Sequence, residues 1–317
     1  MDYRPLGKTG IEVSSLSFGA SALGSVFRDI DEPDCIEAVH TALENGTNYF
    51  DVAPAYGNTR AESVLGKALK GIPRDHYRLS TKAGKYGPSI PNGPCDFDYT
   101  YERISKEIDL SMERLGVDYL DIVHLHDFEY ENGVHIESAF DEGFPALQTL
   151  KSQGRIGAIG AGIYPIDLWQ RVVSEAPVEV ILLHNHYCLN DTRALELLPI
   201  CQEKGIGIIN ASPFASSLLT GGPVADWHPS TPADRVVFKA AADFCAQQGV
   251  SIAKLAFQFA SQNSDFPTTL FSTASNESLL RNLKWHQEPY DSDLLNETLQ
   301  FLEPVRNKQW NYDLGIV

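Results

Sequence analysis

Three short polar signatures fall in chain order: NYFDVAPAYG carries Asp51 and Tyr56, RLSTKAG carries Lys82, and YLDIVHLHD carries His126. Each closes an apolar run of strand character, so an acid, a phenol, an amine and an imidazole can be delivered to one place. A free tyrosine titrates at about 10. Proton exchange near neutrality therefore asks for roughly 2–3 units, or ~3–4 kcal/mol in favour of the phenolate. An ammonium from Lys82 supplies that sign of field. Asp51 would hold Lys82 charged and oriented, and His126 would fix a substrate hydroxyl or carbonyl oxygen beside Tyr56. A phenol that gives and takes a proton is what alcohol–carbonyl redox chemistry requires. One such residue near a strand end is usually a surface or capping group, but the whole set at successive strand ends points to an enzyme.

The elements that must position this set recur along the chain. Apolar runs at 13–20, 48–53, 77–83, 119–126, 155–163, 178–187, 205–212 and 268–273 predict eight strands, rich enough in Val, Ile and Leu to be covered on both faces of a parallel sheet. Helical periodicity lies between them. In DEPDCIEAVHTALENG, Ile36, Val39, His40 and Leu43 share a face, with Asp31 to cap the start and Gly46 the end. Ile104, Ile108 and Leu115 line a helix begun near Thr100 and stopped at Gly116. The interval 213–267 is long enough for an inserted helix. Together these predict one α/β domain over residues 1–317, a (β/α)8 TIM barrel with an N-terminal β-hairpin at YRPLGKTGIEV and extra helices near the C-terminus. A doubly wound sheet would want GxGxxG after its first strand, and FGASALG only imitates it.

Composition narrows the partners. The 317 residues are 43% hydrophobic and 21% charged, ordinary for a globular enzyme. Twenty-five Lys and Arg against 42 Asp and Glu give a net charge of -17, which repels nucleic acid and anionic membranes on average. Cys35, Cys95, Cys188, Cys201 and Cys245 are scattered without a CxxC pair, as reduced thiols would be. The opening MDYRPLGKTG has no apolar stretch of the kind a secretory signal needs. A cytoplasmic protein, monomeric or a small homo-oligomer, acting on a small molecule, is expected.

These residues resemble the aldo-keto reductase superfamily. FDVAPAYG, STKAG and DIVHLHD are similar to the family's Asp/Tyr, Lys and His motifs, with matching spacing across nearly the whole chain. The resemblance implies a (β/α)8 barrel that transfers hydride between a carbon centre and a nicotinamide cofactor, with Asp51, Tyr56, Lys82 and His126 as its tetrad. FGASALGSVF, HLHDFEY, NASPFASSLLT and ADWHPS are similar to the branch of L-galactose dehydrogenases and NAD-dependent aldose 1-dehydrogenases, which oxidise an anomeric carbon to the lactone. By that likeness Gly19, Ala20, His184, Ser212, Phe214, Leu218, Ser272, Ser278 and Asn282 contact the cofactor. Ser272 and Ser278 stand where NADPH-preferring relatives place Lys or Arg, so NAD is favoured, with NADP left open by Arg281. The chain departs from the family's usual pattern at Ala211, at His184 and in GAGIY (160–164), as the sugar-oxidising branch partly does.

The small-residue loop SPFASSLLTGG (212–222) suits backbone amides approaching a pyrophosphate. Tyr86, Phe128, Trp227 and Trp310 are candidates to flank a sugar ring, and Asp127 and Glu129 to accept from its hydroxyls. The terminal NKQWNYDLGIV is a candidate cover for the barrel mouth. Three rivals stay open. One is a carbonyl reductase acting on a non-sugar aldehyde or ketone. Another is a metal-dependent barrel hydrolase, suggested by His124/His126 and His184/His186 together with Lys82. The last is a non-catalytic barrel that binds dinucleotide. No metal is expected.

Overall fold

Runs of Val, Ile and Leu have no polar face to offer water, and here they are buried by closing on themselves. The computed structural model describes residues 1–26, 29–88, 95–224 and 226–312. Strands β1 (Tyr3–Pro5) and β2 (Glu12–Ser14) form an antiparallel hairpin. Strands β3 (Leu16–Gly19), β4 (Tyr49–Asp51) and β5 (Arg78–Ala83) are followed by a second hairpin, β6 (Lys85–Pro88) and β7 (Cys95–Phe97). Then come β8 (Leu120–His126), β9 (Ile156–Gly162), β10 (Val180–His184), β11 (Gly207–Ala211) and β12 (Thr268–Ser272). The eight strands other than the two hairpins pair in parallel around a closed barrel, shut where β12 meets β3, with Leu270 opposite Ser17 and Ser272 opposite Gly19.

The helices wrap the barrel in chain order: α1 (Glu32–Glu44), α2 (Arg60–Leu69), α3 (Tyr101–Leu115), α4 (Ile136–Ser138), α5 (Phe144–Ser152), α6 (Ile166–Glu175) and α7 (Leu198–Lys204). They continue with α8 (Pro232–Gln247), α9 (Ile252–Gln262), α10 (Asn276–Gln287) and α11 (Ser292–Leu302). Two helices therefore occupy the long interval before the last barrel strand, and α11 adds to the C-terminal side. The N-terminal hairpin plugs the bottom, where Leu6, Ile11 and Val13 pack with the inward-facing Tyr49, Ile122, Val180 and Ile209. Among the described residues, no helix is long and apolar enough to cross a membrane. All five cysteines are free thiols.

Several local expectations are corrected. The run 13–20 is two elements, because Glu12–Ser14 belongs to the hairpin and only Leu16–Gly19 enters the barrel. The buried stripe of α1 is Cys35, Ala38, Val39 and Ala42, since small side chains let the helix lie close to the sheet. Its exposed His40 instead has Nε2 2.8 Å from the Ala68 carbonyl oxygen of α2. Asp31 makes no capping hydrogen bond. Thr100 does cap α3, accepting from the Arg103 amide, and Gly116 ends that helix in the left-handed conformation.

Candidate active site

The ends of β4, β5 and β8 bring Asp51, Lys82 and His126 to one rim, and the turn after β4 adds Tyr56. Lys82 Nζ donates to Asp51 Oδ2 at 2.5 Å and to the Val52 carbonyl at 3.0 Å. Asp51 Oδ1 accepts from Ser80 Oγ at 2.7 Å, and Ser80 Oγ lies 2.7 Å from the Tyr49 hydroxyl, so the carboxylate is fixed from below. The Lys82 ammonium lies 4.9 Å from the Tyr56 ring centroid. The His126 ring meets that of Tyr56 edge-on, with centroids 5.9 Å apart. The turn bearing Tyr56 is seated by a close backbone approach: a Cβ on Gly57, whose φ is +62°, would lie 1.9 Å from the Gly24 carbonyl oxygen. Only glycine has both the conformation and the room.

Electrostatics sort these groups. Burial opposes charge on Lys82, but Asp51 and Tyr56 overcome it and raise its pKa, so it stays an ammonium. Burial raises the Tyr56 phenol; Lys82 lowers it, and Asp51 and Asp127 push it back up. The expected downward field is present, yet its net effect is reversed: two carboxylates and desolvation outweigh one ammonium. Burial holds His126 neutral, well below the usual imidazole range, despite the neighbouring Asp127.

All four line a cavity of about 640 Å³. It also takes in Gly19, His184, Ser212, Phe214, Ser272, Asp127 and Trp227 from the sequence expectations, together with Gly162 and Ala211. Burial takes the His184 imidazole, at the end of β10, down to about 4. Ser272 Oγ accepts from Ser21 Oγ and from the Ala22 amide. In the loop after β11, Ser212, Ala215, Ser216 and Ser217 all have positive φ. Among the described residues, the amides of Ser216 and Ser217 make no hydrogen bond within the protein. This concave run of backbone donors suits an anionic diphosphate.

Other expected residues lie elsewhere. Ala20 is fully buried, its amide donating to the Asp51 carbonyl. Leu218 packs in a core cluster with Ala215 and Leu219. Ser278 and Asn282 sit on α10 outside the cavity; Ser278 Oγ accepts from Arg281, and the buried Asn282 Oδ1 has no partner. Phe128 is wholly buried among Tyr99, Phe140 and Phe144, and Tyr86 lies under the Arg103 guanidinium, so neither ring faces the cavity. Glu129 receives the Tyr164 amide at 2.8 Å and borders, with Trp310, a separate pocket of about 380 Å³. Of NKQWNYDLGIV, residues 309–312 line that pocket, with the Trp310 amide donating to the Tyr164 hydroxyl; residues 313–317 lie outside the described residues, as do Phe27 of FGASALGSVF and Ala225 of ADWHPS. Ser216 and Ser217, from the small-residue loop 212–222, line the cavity too; Lys85 and Cys95 also line it and were not singled out for the site in the sequence, although a second lysine in KAGKYG was a visible signal.

One histidine of each HxH pair, His126 and His184, lines the cavity, but its partner does not join it. His186 Nε2 bonds the Tyr164 carbonyl, and His124 is buried against Gly160. Among the described residues no group of three or more His, Cys, Asp or Glu could hold a metal.

Comparison with known proteins agrees with this geometry. The aldo/keto reductase family profile matches residues 15–302. The chain is 39% identical to L-galactose dehydrogenase of Arabidopsis thaliana, over 98% of this chain and 97% of the relative. It is 33% identical to D-threo-aldose 1-dehydrogenase of a Pseudomonas species, over 80% and 83%. The holo form of an aldo-keto reductase from Bacillus halodurans superposes with a TM-score of 0.80 at 25% identity, covering 98% of each chain. The chain belongs to the aldo/keto reductase family.

Proposed function

We propose that this chain oxidises the anomeric carbon of a free aldose such as L-galactose or L-fucose to its lactone, with NAD as hydride acceptor. The observation that carries this is the buried Asp51–Lys82 pair beside a half-buried Tyr56 and a neutral His126, set in one cavity with a shelf of free backbone donors. The sugar is inferred from the relatives that are 39% and 33% identical. Oxidation removes a hydride from C1 and a proton from its hydroxyl, leaving a C1 carbonyl. Tyr56 is assigned the proton, Lys82 the field that eases its loss from the phenol, Asp51 the orientation of Lys82, and His126 the placing of the reacting oxygen. Bound NAD supplies the hydride acceptor. Ser212, Phe214, Ser216 and Ser217 on one side and Gly19, Ser272 and His184 on the other are the residues placed to hold it.

One observation favours a reductive reading: burial keeps the Tyr56 proton in place, as a donor to a carbonyl needs. Initial rates settle both points. NAD and NADP are assayed with L-galactose, L-fucose, D-arabinose and D-glucose, and NADH with small aldehydes. NAD-linked oxidation of at least one of the first three sugars is expected, unaffected by chelator. Turnover of aldehydes alone would establish the reductase instead.

A further inference from the structure

Lys85 and Asp127 form an ion pair at 2.6 Å on the cavity wall, with side chains only 13% and 10% exposed. Neither belongs to the barrel proper. Lys85 starts the β6–β7 hairpin, and Asp127 is the first residue past β8, held at φ +51° with its amide donating to the Gly162 carbonyl. A side-chain-bearing residue kept in that conformation turns its carboxylate back beside His126, whose Nε2 lies 3.6 Å from Asp127 Oδ2. Lys85 is also packed on the Tyr130 ring, 4.1 Å from its centroid, so its ammonium has little freedom. Among the described residues Asp127 Oδ1 makes no hydrogen bond. Apolar side chains would fill such a place at least as stably as a desolvated ion pair. Its position one step from the imidazole that meets the reacting oxygen gives it something to read.

We propose that Lys85 and Asp127 recognise the hydroxyl on the carbon next to the reacting one, Asp127 accepting its proton and Lys85 donating to its oxygen. Resting on the aldose reading above, this makes the pair a specificity determinant for 2-hydroxy aldoses. On a sugar, vicinal oxygens are close neighbours, and so are the groups that would meet them here, His126 Nε2 and Asp127 Oδ2, 3.6 Å apart. A buried charged pair left without its hydroxyl partner discriminates strongly, whereas an apolar pocket does not.

The test compares an aldose the enzyme oxidises with its 2-deoxy counterpart, for instance L-galactose and 2-deoxy-L-galactose, on the unaltered chain and on Lys85→Met and Lys85→Arg. The unaltered chain is expected to prefer the 2-hydroxy sugar by ~100-fold or more in kcat/KM. Lys85→Met should shrink that preference below ~10-fold by losing rate on the parent sugar alone, with Lys85→Arg restoring most of it. NADH affinity, read by fluorescence, should not move. Equal use of both sugars by the unaltered chain overturns the proposal while leaving the aldose reading intact. So does an equal loss on both sugars in Lys85→Met. Oxidation of no aldose at all, with NADH still bound, overturns the aldose reading and this proposal with it.

Discussion

Tyr56 is a weak acid made weaker by its surroundings, and that sets the pH behaviour of the reaction proposed for it. Burial raises its pKa, Lys82 pulls it down, and Asp51 and Asp127 oppose Lys82. Oxidation needs the phenolate, so its kcat/KM should climb from pH 6 to pH 9, while carbonyl reduction, which uses the protonated phenol, should stay level over the same range. Lys82→Met removes the one lowering influence and should move the oxidative limb to higher pH. Tyr56→Phe should cut kcat by ~10²–10⁴ with NAD affinity retained. Since burial keeps His126 neutral, His126→Gln should lower the rate without shifting the limb's midpoint. Steady-state pH profiles of these variants decide between Tyr56 and His126 as the titrating group. The residue types were legible because each ends an apolar run. The sign of the Tyr56 shift was not, because desolvation is a property of packing. Phe128 and Tyr86 misled for the same reason: an aromatic ring just after a strand reads alike whether it turns to the cavity or to the helices.

At the scale of elements, the barrel wall behind Lys82 is tied to its helices by a buried charge network. Thr81 Oγ1 donates to Glu62 Oε1 at 2.6 Å, and Arg114 binds Glu62 at 2.6 Å and Glu107 at 2.7 Å, joining β5, α2 and α3. Glu62 is fully buried, and burial raises its pKa even with Arg114 beside it. Arg114→Met would strand that carboxyl, and ~3–5 kcal/mol of stability should be lost. Adding Glu62→Gln should recover part of it, both read from urea unfolding. The strand–helix alternation was visible in the sequence because its two periods differ. The β6–β7 hairpin was not, because KYGPSIPNGPCDF is dense in Pro and Gly and reads as loop. Lys85 went unnoticed with it: a lysine acquires meaning there only once the hairpin brings it back over β8.

For the whole molecule, length alone allowed two domains or one barrel, and we propose that 1–317 unfolds as a single unit because closure makes the last barrel strand, β12, pair with the first, β3. Folding also buries histidines. Burial lowers His124 from 6.5 to about 4, with His184 and His228 shifted alike. A folded pKa below the unfolded one means that unfolded chains bind more protons between pH 6.5 and 4. The stability His124 contributes is therefore complete above about 6.5 and is lost as pH falls through that interval, by ~3 kcal/mol in all. Glu62 and Glu129, whose pKa values burial raises, act with the opposite sign over part of the same range, so the chain's own pH slope is a mixture. The difference between the chain and His124→Asn isolates one group. Urea midpoints at pH 7 and pH 4.5 should converge in the variant relative to the unaltered chain. Identical pH slopes would mean that His124 reaches solvent before the barrel opens.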